Sequence, residues 1–108
     1  MDFKAAADEL GLEEEEFYEI VELFLSTAES EIKTIQSTYE TNDREAMGNA
    51  AHSLKGASGT LGFADISALA KKLEENAKAY QPDELEQAIT YLKEKLEGIR
   101  IELAKMTG

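Results

Sequence analysis

The sequence predicts an all-α fold: an antiparallel up-down-up-down four-helix bundle preceded by a short N-terminal helix. Apolar residues recur at steps of three and four through four successive segments. No segment sustains the period-two alternation of a strand, and no Asn-Gly hairpin signal separates β-branched runs. The breaks between the segments are short, which makes sequence neighbours run antiparallel around one core. At 108 residues the chain fits a single domain, 1–108, large enough to bury a core without staples.

Met1 to Gly11 reads as a helical lead-in, with Asp2 as its cap and Gly11 ending it. From Glu13 to Tyr39 the residues Phe17, Val21, Phe24, Ala28, Ile32, Ile35 and Tyr39 mark one face of a long amphipathic helix. The four glutamates that open this helix suit the positive end of its dipole. Asn42, with Glu45 three residues on, has the form of a capping box opening the next helix, whose buried stripe is Met47, Ala50, Leu54, Ala57 and Leu61 and which ends at Gly62. Asp65 then caps a third helix marked by Ile66, Leu69, Ala70, Leu73, Ala77 and Tyr80. Pro82 ends that helix and opens the last one in its first turn, followed by Asp83 and Glu84. Leu85, Ile89, Leu92, Leu96, Ile99, Leu103 and Met106 carry the last stripe, with Gly98 on the outer face.

Composition narrows the partners. The net charge of -12 repels a nucleic-acid backbone and an anionic membrane surface, so neither is expected as a partner. There is no cysteine, which excludes disulfides and thiolate metal sites and suits a reducing compartment. Acids interrupt the N-terminal segment, and nothing approaches an 18-residue apolar run. The chain therefore reads as soluble and cytoplasmic, and as a monomer.

The functional signal lies between Asn42 and Gly62. It holds the only histidine, His52. At about 100° per residue, His52 falls roughly opposite the Met47 to Leu61 stripe, on the face that meets water. Gly48, Gly56 and Gly59, four before, four after and seven after it, share that face. Each costs a helix about 1 kcal/mol relative to alanine, so the face is bare for a reason other than helix formation. The remaining neighbours are Asn49 and Lys55, and no Asp or Glu stands between Ala46 and Ala64. A bare imidazole with one cation beside it and no acid nearby suits a phosphoryl group. Glycines serving helix packing belong on the buried stripe, and these lie opposite it. One histidine and no cysteine supply no metal site. Ser53 and Ser58 have no base to activate them, and Ser58 reads as packing.

The stretch AAHSLKGASGTLGF, from Ala50 to Phe63, resembles the active-site helix of histidine phosphotransfer (HPt) domains, whose pattern is H-x-x-K-G-x-x-x-x-L-G. SALAKKLE, from Ser67 to Glu74, is similar to the helix that follows, and the wording is closest to the N-terminal phosphotransfer domain of chemotaxis-type histidine kinases. The resemblance implies a phosphocarrier of two-component phosphorelays, not an enzyme with its own kinase or nucleotide site. His52 would be the phosphorylated nucleophile and Lys55 a stabiliser of the phosphoryl group. Glu74 would orient the ring by accepting the Nδ1 proton, although Lys71 stands where those relatives carry a second histidine. The partners implied are a response-regulator receiver domain, a histidine kinase or both, docking on Gly48, Asn49, Gly56 and Gly59. The chain needs no cofactor of its own, and Mg²⁺ is expected in the receiver. The rival reading is a helical binding module that docks a protein on the same face without chemistry. The sequence leaves open whether the chain stands alone or is one domain of a larger kinase.

Overall fold

Five helices make up the computed structural model, which describes residues 3–107: α1 (Phe3–Glu9), α2 (Glu14–Glu40), α3 (Arg44–Thr60), α4 (Ala64–Glu75) and α5 (Pro82–Thr107). No strand occurs among the described residues. The 27 residues of α2 account for about 40 Å at 1.5 Å per residue, close to the 42 Å long axis of the molecule. The predicted four-helix bundle with its short leading helix is the observed architecture. Asp2, the predicted cap of α1, lies outside the described residues.

Three of the turns follow one rule. At the ends of α1, α2 and α3 the chain passes through a residue at positive φ: Gly11 at 70°, Asn42 at 59° and Gly62 at 81°. In each, two backbone N–H groups reach back to the last turn. Leu12 N donates to Ala7 O, Asp43 N to Thr38 O and Phe63 N to Ser58 O, at 2.9, 2.7 and 2.9 Å. These are Schellman closures, which satisfy the carbonyls a helix end leaves free. They also reverse the chain in three or four residues.

The closure after α2 corrects one expectation. Asn42 is not the cap of α3; it takes the left-handed conformation that asparagine tolerates, and Asp43 caps instead, accepting from Ala46 N at 3.1 Å. A similar shift occurs at α4. Phe63 occupies the capping position, so Asp65 falls inside the first turn, where it pairs with Lys95 of α5 at 3.1 Å. A further correction concerns the end of α4, which stops at Glu75 rather than near Tyr80. Ala77 is still buried and Tyr80 half-buried, so the apolar period outlasts the helix. Arg44 fastens this non-helical segment: its Nη1 donates to Ala77 O at 2.8 Å, while its guanidinium covers the Tyr39 ring at 4.1 Å. The Tyr39 hydroxyl donates to Tyr80 O at 3.1 Å.

The core runs the length of the bundle, with Phe17, Val21, Ile35, Met47, Leu54, Ile66, Leu73 and Leu92 removed from solvent. Phe3 and Ala7 of α1 cover one end, Phe3 edge-on to Phe17. Met106, assigned to the α5 stripe from its spacing, is exposed. It lies beyond Leu103, the last buried residue of α5.

Candidate functional site

The α3–α4 hairpin positions the site. Its turn is pinned by Phe63, buried and packed against Phe24 at 5.1 Å between ring centres. Because the helices are antiparallel about Phe63, residues equidistant from it face each other. His52 stands eleven residues before it and Glu74 eleven after.

His52 lies on the solvent side of α3, its side chain 65% exposed. The structure sets its Nδ1 2.5 Å from Glu74 Oε2. The other carboxylate oxygen, Oε1, accepts from Lys55 Nζ at 2.7 Å. Glu74 therefore bridges the ring and the lysine. The Lys55 ammonium, and after it the His52 ring, hold the Glu74 carboxyl below the usual glutamate range. Glu74 is thus ionised at neutral pH and acts as an acceptor, which selects the tautomer carrying its proton on Nδ1 and leaves the Nε2 lone pair free.

This contact forms without a second histidine. Lys71, at that position, turns outward and pairs with Glu75 at 3.8 Å. Sequence reasoning had Lys55 beside His52 but missed its pairing with Glu74; Lys55 stands eight residues before Phe63, where the equidistant position is Lys71, so hairpin spacing alone does not single the pair out. It also missed Ser67, whose hydroxyl donates to Lys55 O at 3.1 Å. Ser58 is fully buried and donates to Leu54 O at 2.6 Å, so it packs and closes its own hydrogen bond.

The three glycines of the His52 face separate into two kinds. A Cβ on Gly56 would meet nothing within 4 Å, so the space one turn beyond His52 is open. One on Gly48 would lie 3.8 Å from Ala77 Cβ, and one on Gly59 3.3 Å from Ser67 Oγ. Gly48 and Gly59 thus face α4 and serve helix approach. The expectation that packing glycines lie only on the apolar stripe is corrected: α3 has two packed sides, one against the core and one against α4. Asn49 is exposed.

Among the described residues, no three His, Cys, Asp or Glu side chains gather to hold a metal. No helix is long and apolar enough to cross a membrane.

Comparison with known proteins bears on the family and the fold. The sequence pattern of the Hpt domain family matches residues 19–102. No curated protein matches the chain. Histidine-containing phosphotransfer protein B from Pseudomonas aeruginosa PAO1 superposes with a TM-score of 0.81 at 22% identity, over 98% of this chain and 92% of that one. The HPT domain of a sensor hybrid histidine kinase from Shewanella superposes at 0.78 and 17% identity, over 100% and 97%. At such identities the likeness is one of fold.

Proposed function

This chain belongs to the Hpt domain family, phosphoryl carriers of two-component phosphorelays, and on that premise we propose that His52 is the residue carrying the phosphoryl group. One observation carries the assignment: an exposed imidazole whose Nδ1 is engaged by a carboxylate at 2.5 Å presents Nε2 outward as the nucleophile.

The step needs no cofactor on this chain. The Nε2 lone pair attacks the phosphorus of an acyl phosphate on a receiver aspartate; the P–N bond forms, the P–O bond breaks, and the aspartate leaves as carboxylate. No proton moves, because the proton stays on Nδ1, where Glu74 stabilises the positive charge that develops on the ring. The reverse step returns the group by the same path. Lys55 lies one turn from His52 and neutralises phosphoryl oxygens when its ammonium swings from Glu74. Mg²⁺ held by the receiver's acidic pocket supplies further neutralisation from across the interface. Gly56 and Asn49 form the landing surface, and a histidine kinase is the alternative donor. The chain carries the group and has no nucleotide chemistry of its own.

Incubation with a phosphorylated receiver domain, followed by ³¹P NMR, tests this. Wild-type protein should show a phosphohistidine signal and His52→Gln none, with the same melting temperature because the side chain is exposed. Complex formation on this face without any phosphoryl uptake would favour the non-catalytic binding module.

A further inference from the structure

Two close approaches flank the His52–Glu74 contact. On one side Gly48 meets α4 where a Cβ would lie 3.8 Å from Ala77 Cβ and 3.9 Å from Glu74 O. On the other, seven residues along each helix, Gly59 meets Ser67, with 3.3 Å from the Cβ position to Ser67 Oγ. The first distance is ordinary contact for a methyl group; the second is tight, so a methyl there requires Ser67 Oγ to give by a few tenths of an ångström. Ser67 Oγ also donates to the backbone oxygen of Lys55 at 3.1 Å, in a partly buried position. That oxygen additionally accepts from Ser58 Oγ at 3.2 Å.

Lys55 is therefore tied to α4 at both ends: its carbonyl to Ser67 and its ammonium to Glu74 at 2.7 Å. A hydroxyl-to-carbonyl bond crossing between helices fixes their rotation as well as their spacing, which contact between aliphatic side chains does only loosely. The Glu74 carboxylate lies two turns from Ser67 on the same face of α4. Its 2.5 Å contact with the ring leaves little tolerance for sliding or rolling of α4.

We propose that Ser67 and Gly59 are positioning residues for the His52 ring: the Ser67–Lys55 cross-link, admitted by the absence of a side chain at Gly59, sets the α3–α4 register that keeps Glu74 on Nδ1 and Nε2 free. Neither touches the reacting atoms. Removing the hydroxyl loosens the register, and adding a methyl at Gly59 pushes the hydroxyl off Lys55 O.

The test uses ¹⁵N-histidine NMR on the unphosphorylated protein, where the two nitrogen shifts report which one carries the proton. Wild type should be protonated on Nδ1 in the neutral ring. Ser67→Ala and Gly59→Ala should each shift population toward the Nε2-protonated tautomer, and Ser67→Thr, which keeps the hydroxyl, should restore the wild-type shifts. Gly98→Ala, on α5 with nothing within 4 Å of its Cβ position, should leave them unchanged and controls for helix propensity. Phosphoryl uptake from a receiver should fall roughly tenfold in the two disrupted variants, part of the about hundredfold that an ångström of misplacement costs. Melting curves identify any variant that fails to fold. Wild-type tautomer populations in both folded variants would overturn the inference. The kinetic arm rests on the assignment of His52 as acceptor; the tautomer arm does not. Tautomer shifts in a protein that takes up no phosphoryl group would therefore support the positioning role and sink the acceptor assignment alone.

Discussion

The α3–α4 pair and the α2–α5 pair are built from different side chains and do different work. Between α3 and α4 the close approaches flanking the site are Gly48 with the Glu74 carbonyl and Gly59 with Ser67, and polar groups cross directly from helix to helix. Between α2 and α5 the contacts are large apolar residues, with clefts of about 450, 330 and 500 Å³ opening along the groove. Leu85 and Ile89, then Ile32 and Leu96, then Leu25 and Leu103 line those clefts in turn. A charged rim surrounds them, with Arg100 bonded to Glu29 and to Glu97. Leucine and isoleucine packing tolerates such gaps while still removing apolar area from water. A hydrogen bond to an imidazole nitrogen does not. The fold thus concentrates adaptable apolar packing along the α2–α5 groove and places the directional contacts to His52 in the α3–α4 hairpin.

The largest expected effect separates the two pairs by stability. Leu92→Ala on α5 truncates a side chain with no exposure and should cost about 2–5 kcal/mol, lowering Tm by about 10–20 °C. Phosphoryl uptake per folded molecule, measured well below the transition, should stay at the wild-type rate. A proportional loss of uptake would mean that the two halves are coupled and that the division fails.

Glu74→Gln should act the other way, slowing uptake by about tenfold or more while leaving the fold intact. It also has a pH signature. Lys55, and then His52, hold the Glu74 carboxyl below its usual range in the folded protein, so its contribution is complete above the unfolded glutamate value and is lost as pH falls through the lower folded value. The stability of the glutamine variant should decline less steeply across that acid range. Identical acid limbs in thermal melts of the two proteins would show that the bridge contributes nothing to folding.

A finer comparison sets Gly56 against Gly98. Both face open space, so alanine at either should stabilise its helix by up to about 1 kcal/mol. Only at Gly56 should size matter for transfer. Gly56→Gln should slow uptake because its side chain stands where a partner's active site closes on His52, whereas Gly98→Gln should be neutral. Equal rates for the two glutamine variants would remove Gly56 from the docking surface.

How far the sequence carries depends on which pair is considered. The stripes of α2 and α5 are legible because they bury large residues at regular intervals: Phe17 to Ile35 and Leu85 to Leu103 are buried where the spacing puts them. Periodicity tracks burial rather than backbone at the end of α4, which it carries past Glu75 through Ala77 and Tyr80; at the end of α5 the reverse holds, since the helix continues to Thr107 while Met106 is exposed. Adjacent Asx residues at 42 and 43 offer two capping candidates, and only the left-handed turn at Asn42 decides between them. The solvent-facing position of His52 was legible from α3 alone. The meaning of Gly48 and Gly59 was not, because it depends on where α4 lies, and neither was the sharing of Glu74 between His52 and Lys55. Those contacts cross the hairpin, and a single helix projected around its axis does not contain them.

The atom that accepts the phosphoryl group tests the central claim most directly. Protein labelled with ¹⁵N in its one histidine, phosphorylated by a receiver domain or by phosphoramidate, should show ³¹P–¹⁵N coupling to Nε2, with the proton retained on Nδ1 opposite Glu74. Coupling to Nδ1 would contradict the account, since that nitrogen is the one the 2.5 Å contact with Glu74 occupies.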